Sequence, residues 1–172
     1  MNNAAQAVGL AKALEKKSRM AVSESAVHQG LADTHWPGRL EKISEHPRVV
    51  LDGAHNVDSV KKMLEGLRRH FLFTDLTVVF GVSSDKDAEG MLREIGPECQ
   101  RVILTQVHHA RAVPSRALAE KVSGDAHAVF TEPDSRAALL KAKALTGPDG
   151  LVVVTGSLFL VAELRAAVME GL

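Results

Sequence analysis

The feature that most constrains this chain is a recurring pair of segments. A short apolar, β-branched run stops at a glycine or polar residue, and a stretch with helical spacing follows. Arg48-Val49-Val50-Leu51 ends in Asp52-Gly53, and Leu76 to Phe80 ends in Gly81. Arg101 to Thr105, Ala126 to Thr131 and Leu151 to Thr155 repeat the pattern. Between the runs, Val60, Met63, Leu64 and Leu67 recur at helical spacing. Helices are also expected at about 86–95, from Pro114 to about Val122, from Asp134 to Leu145 and from Leu158 to Met169. Runs without polar alternation are buried on both faces, and intervening helices supply the right-handed crossovers that parallel strands need. The pattern predicts an α/β fold: an open, doubly wound, mostly parallel Rossmann-like sheet of about six strands.

Residues 1–35 break this rhythm. Ala4, Ala7, Val8, Ala11 and Leu14 form a helical stripe, a second short helix carries Ala26, Val27 and Leu31, and no strand separates them. Trp36-Pro37-Gly38 ends the helical stretch, because Pro and Gly break helices. The expected division is a helical segment at 1–35 and an α/β domain at 36–172.

Charge narrows the function classes. Lys plus Arg total 21, as do Asp plus Glu, so the formal net charge is zero. That speaks against nucleic-acid binding through bulk charge and against a polybasic membrane-surface protein. No apolar run approaches the ~20 residues a bilayer span requires. Met-Asn-Asn-Ala-Ala-Gln at the start lacks the basic and apolar segments of a secretion signal. The one cysteine, Cys99, cannot build a disulfide framework and suits a reducing compartment. A cytoplasmic protein with neither nucleic acid nor membrane as partner is expected.

In open parallel sheets, ligands bind beyond the carboxyl ends of the strands. Four segments lie there: Asp52-Gly53-Ala54-His55-Asn56, Gly81 to Asp87, Gln106 to Arg111, and Thr155-Gly156-Ser157. In the first, Gly53 lets the backbone turn where a side chain would clash. Asn56 suits the N-cap of the next helix. Asp52 is placed to accept the hydroxyls of a ribose, with His55 in the same crevice. The plainer alternative is that Asp52 and Asn56 only organise the turn and His55 is a surface histidine. Asp58 already supplies an anion at this helix start, so a ribose or an amino-acid ligand is expected there, not a phosphate. Neither G-x-x-x-x-G-K-[ST] nor G-x-G-x-x-G occurs, so any phosphate cradle must come from elsewhere. G-x-S-x-G is also absent. His108 and His109 are adjacent on an extended loop and should point apart, with no Cys or carboxylate cluster beside them, so no metal site is assigned to them.

Taken in order, Trp36-Pro37-Gly38-Arg39-Leu40-Glu41, Leu51-Asp52-Gly53-Ala54-His55-Asn56, Asp85-Lys86-Asp87 and Gly156-Ser157-Leu158-Phe159-Leu160 resemble the C-terminal, Mur-ligase-type glutamate-ligase domain of the folylpolyglutamate synthase / dihydrofolate synthase family. The likeness extends over essentially the whole chain, and Asn2 to Glu15 looks like the helix that closes that family's ATPase domain. Cell-wall Mur ligases share the domain type but usually carry Tyr or Ser where Gly53 stands.

The resemblance implies a reaction in which ATP, with Mg2+, phosphorylates a carboxylate of folate or dihydropteroate and the amine of L-glutamate displaces the phosphate. It implies that Arg39 reaches ATP phosphates, that Asp52 contacts the ribose, and that His55 and Ser157 contact the incoming glutamate. Lys86 is placed near the glutamate site with weaker correspondence. Catalysis would involve His55, the magnesium ligands would lie in the N-terminal ATPase domain, and the chain would be inactive without that domain. Val57 stands where the family usually has proline; this loosens the first helical turn but removes no chemical group. Two alternatives stay open: a Mur-type peptidoglycan-precursor amide ligase domain, and a non-catalytic nucleotide-sensing or interaction domain.

Overall fold

A computed structural model describes residues 2–18, 21–122 and 128–172. It divides the chain into two compact units, Met1–Trp36 and Pro37–Leu172. In the first unit, α1 (Asn2–Ser18) and α2 (Glu24–Ala32) are joined by a short connection. Ser23 caps α2 by accepting from Ala26 N. Val8 and Ala11 of α1 face Val27 and Leu31 of α2 across a shallow groove. No described residue of α2 is fully buried.

The second unit begins with β1 (Glu41–Glu45) and β2 (Arg48–Leu51), a hairpin closed at His46-Pro47. Then come α3 (Val57–His70), β3 (Leu76–Phe80), α4 (Ala88–Ile95), β4 (Arg101–Leu104) and α5 (Ser115–Ala119). The chain ends with β5 (Ala128–Thr131), α6 (Ser135–Leu145), β6 (Leu151–Thr155) and α7 (Leu158–Met169). The six strands lie in the order β1-β2-β6-β3-β4-β5. All neighbours pair in parallel except β1, which is antiparallel to β2 on the edge. The doubly wound, mostly parallel sheet read from the sequence is the observed architecture.

Period-two alternation sorts each strand between two cores. Val50, Val78, Phe80, Val102 and Val153 turn toward α3 and α4, where Val60, Leu67, Met91 and Ile95 meet them. Val49, Leu51, Val79, Ile103, Val152 and Val154 turn toward Leu139 of α6 and Leu160 and Leu164 of α7. This two-sided burial is why the strands read as unbroken apolar runs.

Several elements depart from the expected ones. β1 was not located from the sequence: Glu41-Lys42-Ile43-Ser44-Glu45 holds one apolar residue, and a bulge between Lys42 and Ser44 breaks its register. Charge and bulging are how edge strands avoid pairing with other chains, and both erase the apolar signature. The helix near 86–95 starts at Ala88, because Asp87 caps it through Gly90 N at 2.9 Å. α5 stops at Ala119; beyond it Lys121 N and Val122 N bond three residues back, which tightens the last turn. The expected strand over Ala126 to Thr131 is observed from Ala128, and residues 126–127 lie outside the described residues. No described helix is long and apolar enough to cross a membrane.

Because β2, β6, β3 and β4 are adjacent and parallel, their carboxyl-terminal loops line one edge. Gly156 is a point of close approach between these loops. Its φ is +102°, and a Cβ there would lie 2.6 Å from the Gly81 carbonyl oxygen. Gly156 N donates to Ala54 O at 2.9 Å and Gly81 N donates to Thr155 O at 3.3 Å. Substituting Gly156→Ala is expected to cost about 1–3 kcal/mol, from backbone strain and the clash together. Urea unfolding of the two proteins checks this, and an unchanged midpoint would contradict it.

Candidate active site

The turn after β2 is built by its own side chains. Asp52 is only 4% exposed. Its Oδ1 accepts from Ala54 N at 2.9 Å and its Oδ2 accepts from Leu40 N at 3.0 Å. Burial pushes the Asp52 carboxyl above the usual range, and the two backbone donors and the Arg39 charge oppose it without cancelling it. Gly53 N donates to Gly38 O at 2.8 Å, and a Cβ on Gly53 would run into Leu158 Cδ2. His55 Nδ1 lies 2.8 Å from Gly53 O. A carbonyl only accepts, so Nδ1 carries the proton, and in the neutral ring Nε2 is left as an acceptor. Asn56 Oδ1 accepts from Ser59 N at 2.8 Å, and Ser59 Oγ accepts from Asn56 N at 3.0 Å. This reciprocal capping box fixes the start of α3.

Two hollows flank this turn. The first is a cavity of about 200 Å³ that opens to solvent beside α7. The β2 turn gives it His55, the β3 loop gives Ser83, Asp85 and Lys86, and the β4 loop gives Arg111. Gly156 and Ser157 also line it, and Leu158 and Phe159 give it apolar surface. It falls below the ~300–1,000 Å³ of pockets for drug-sized ligands and suits a molecule the size of one amino acid. Lys86 Nζ lies 2.8 Å from Asp85 Oδ2, and Arg111 NH1 lies 3.9 Å from Asp85 Oδ1. The Lys86 hydrogen bond, with the charges of Lys86 and Arg111, holds the Asp85 carboxyl below its ordinary range. Ser157 caps α7, its Oγ accepting from Phe159 N at 3.2 Å.

The second hollow, about 430 Å³, is lined by Arg39, Asp52, Asn56, Asp58 and Lys62, with Leu40 and Met63 behind them. Arg39 is exposed and sits beside Leu40, whose amide Asp52 holds. Glu41 accepts from Arg165 Nε at 3.0 Å and from Gly38 N at 2.8 Å, and Glu45 pairs with Lys42.

The structure thus groups His55, Lys86 and Ser157 in one cavity and Arg39 with Asp52 in another. The sequence had placed Asp52 and His55 in a single crevice. They part because the Asp52 carboxylate turns back to Leu40 N and Ala54 N, while the His55 ring turns to Gly53 O. Ser83, Asp85, Arg111 and Phe159 also line the first cavity and had been given no role. Asp85 and Phe159 lie in segments quoted above for the resemblance, whereas no motif marks Ser83 or Arg111. Non-local backbone bonds assemble them: Ser84 N donates to Arg111 O at 2.8 Å, Val113 N to Val82 O at 3.0 Å, and Ser83 bridges Ala112. For Ser83 and Arg111, position after an apolar strand is the only sequence signal. Among the described residues, no group of three or more His, Cys, Asp or Glu could hold a metal ion.

The family model for the Mur ligase glutamate ligase domain matches residues 38–158, and the chain belongs to that family. Similar proteins include folylpolyglutamate and dihydrofolate synthases and a Synechococcus elongatus UDP-N-acetylmuramoyl-L-alanyl-D-glutamate--2,6-diaminopimelate ligase, 32% identical over 128 residues, covering 70% of this chain and 26% of the relative. A Haloferax volcanii protein described as a probable bifunctional folylpolyglutamate synthase/dihydropteroate synthase is 37% identical over 164 residues, covering 94% of this chain and 19% of the relative. The structure of E. coli FolC in complex with DHPP and ADP superimposes with a TM-score of 0.86 at 26% identity, covering 98% of this chain and 39% of that one. A bifunctional folylpolyglutamate synthase/dihydrofolate synthase with Mn, AMPPNP and L-glutamate bound gives a TM-score of 0.80 at 27% identity, covering 92% of this chain and 38% of that one. The chain therefore spans about a fifth to two fifths of the length of these proteins.

The β4 loop that carries Arg111 is tethered to α7. His108 N donates to Glu163 Oε2 at 3.1 Å, the His108 ring Nδ1 lies 3.1 Å from Glu163 Oε1, and Ser135 Oγ also donates to Oε1. His109 turns the other way and stacks on Phe159 with ring centroids 4.2 Å apart. Burial pushes Glu163 up, but the hydrogen bonds from Ser135 and His108 outweigh it and hold the carboxyl below its ordinary 4.5. The hydrogen bond from Glu163, and then its charge, raise His108 above 6.5; Asp134 adds to this and Arg136 opposes it. A raised His contributes fully below its unfolded pKa and loses that contribution as pH rises through the folded value. A lowered Glu contributes above its unfolded pKa and loses it as pH falls through the folded value. The charged tether therefore spans the interval between the two folded pKa values. An NMR titration of the His108 ring should give a midpoint above 6.5, falling toward 6.5 in Glu163→Gln. Identical midpoints would show that the pair does not exist in solution.

Proposed function

We propose that this chain is the glutamate-binding domain of an ATP-dependent ligase that adds L-glutamate to folate or dihydropteroate. In this reading an oxygen of the acceptor carboxylate attacks the γ-phosphorus of ATP and ADP leaves. The glutamate amine then attacks the acyl carbon, phosphate leaves, and the ammonium proton is lost. The observation that carries the reading is the amino-acid-sized cavity uniting His55, Lys86 and Ser157, with the Arg39–Asp52 hollow on the other side of the same turn.

The residues suit those tasks chemically. Arg39, exposed and permanently charged, would reach ATP phosphate oxygens with its forked donors. Asp52 spends one lone pair of each oxygen on backbone N–H groups and keeps others for ribose hydroxyls. Ser157 and Lys86 would hold glutamate carboxylate oxygens, and His55 Nε2, the acceptor of the neutral ring, would accept from the glutamate ammonium or take its proton. Acyl-phosphate formation also needs a phosphate cradle, a lysine and a divalent ion. ATP and Mg2+ would therefore be bound chiefly by an N-terminal ATPase domain of the same protein. Residues 1–35 would be the helical tail of that domain and 36–172 the ligase domain. A cytoplasmic setting belongs to this reading and fits Cys99, a buried thiol pushed up to about 12, chiefly by burial.

Joined to its ATPase domain, the protein should ligate L-glutamate with ATP hydrolysis. There His55→Ala and Ser157→Ala should mainly raise KM for glutamate, and Arg39→Ala should mainly weaken ATP use. The chain alone should bind ATP in the millimolar range or weaker, about −4 kcal/mol, and show no turnover. Calorimetry and a phosphate-release assay read both. Micromolar ATP binding by the chain alone, or a His55→Ala variant altered only in its ATP dependence, would overturn these roles.

A further inference from the structure

Resting on that reading, we propose that Arg111 is the specificity-determining residue for the amino-acid substrate, its guanidinium taking the side-chain carboxylate of L-glutamate. The cavity presents two cations, Lys86 and Arg111, against one carboxylate, Asp85. L-Glutamate presents the mirror image, two carboxylates and one ammonium. A neutral amino acid of the same size would leave one of the two cations without an anionic partner from the ligand.

Strand order assigns which cation meets which carboxylate. The edge runs β2-β6-β3-β4, with strands about 4.8 Å apart. The β2 turn carries His55 and borders the nucleotide hollow, so the reacting amine belongs at that end. Ser157 follows β6 and Lys86 follows β3, next along the edge, where the α-carboxylate falls. Arg111 follows β4, the strand furthest from the β2 turn among those that line the cavity. An amino acid lying along this edge therefore brings its side-chain end to Arg111.

Arg111 is also held there by its backbone. Its carbonyl accepts from Ser84 N at 2.8 Å, its N donates to His109 Nδ1 at 3.2 Å, and the His109 ring stacks on Phe159. The side chain itself is 57% exposed and, among the described residues, its polar contact is the long 3.9 Å one with Asp85, so it is available to a ligand. A guanidinium binds a carboxylate through two parallel hydrogen bonds and has no such partner in an amide.

The test is an NMR titration of the full 172-residue chain with L-glutamate and L-glutamine, following the amides of Ser83, Gly156 and Ser157. The chain should bind glutamate at least tenfold more tightly than glutamine. Arg111→Gln should weaken glutamate about tenfold, leave glutamine unchanged and so abolish the preference, while Arg111→Lys should retain part of it. Because the bonds that position Arg111 are made by its backbone, both variants should keep the wild-type amide dispersion. A preference that survives in Arg111→Gln would overturn the assignment to Arg111 and leave the glutamate cavity standing. No response of those amides to either amino acid in the wild-type chain would overturn the reading of the cavity, and this proposal with it.

Discussion

The Asp52 carboxylate is the interaction on which both hollows depend. It is buried, and burial alone would drive it toward the neutral form. What keeps it in place is two backbone N–H groups from different parts of the chain, Leu40 before β1 and Ala54 in the turn after β2. Leu40 has a φ of 45°, unusual for a residue with a branched side chain. Its amide bond to Asp52 and its side-chain packing against α3 near Gly66 offset that strain. Arg39 precedes Leu40, so the same bond that shapes the turn also decides where the guanidinium emerges. One buried carboxylate thus sets the position of a cation on one side and of His55 on the other.

The sheet supplies the rigidity that makes such placement useful. Val50, Val78 and Val153 pack against one helical layer, and Val49, Val79 and Val154 against the other. Fully burying side chains of this kind contributes about 1.5–3 kcal/mol each. The strand ends beneath the site are therefore immobilised from both faces, while the loops above them remain polar and open. β6 is the last strand in sequence but lies between β2 and β3. That insertion brings Ser157 next to His55, residues 102 positions apart along the chain by their numbering.

The core was legible because it depends on local pattern. Five of the six strands announce themselves as apolar runs, and α3 and α7 read at helical spacing with Asn56 and Ser157 as caps. β1 was not, since what holds it is a half-buried Glu41–Arg165 ion pair and a bulged register, neither visible in a run of five mostly polar residues. The site divides the same way. His55 and Ser157 sit in short motifs and could be quoted from the sequence. Arg111 could not, because its relation to Lys86 exists only through the bonds between the β3 and β4 loops. Even Asn56 was half seen: its cap was legible, but Ser59 as reciprocal partner departs from the Glu or Gln that marks such a box.

A shared turn has a mechanical consequence for a two-substrate reaction. Joining an amine to an activated carboxylate is fast when the reacting atoms are held within about 3–3.5 Å, and a displacement of about 1 Å can cost a hundredfold. In the proposed reaction the nucleotide side is read by Arg39 and Asp52 and the amine side by His55. Asp52 and His55 are three residues apart by their numbering in one turn, pinned by Gly53 N to Gly38 O and by the capping box of α3. Their separation is therefore set by covalent geometry and backbone hydrogen bonds rather than by flexible side chains. A second domain that grips the nucleotide would, through Arg39 and Asp52, also fix where the amino acid's amine lies. The cavity proposed for the amino acid can then stay small and open to solvent, because alignment at the reacting end does not depend on enclosing the substrate.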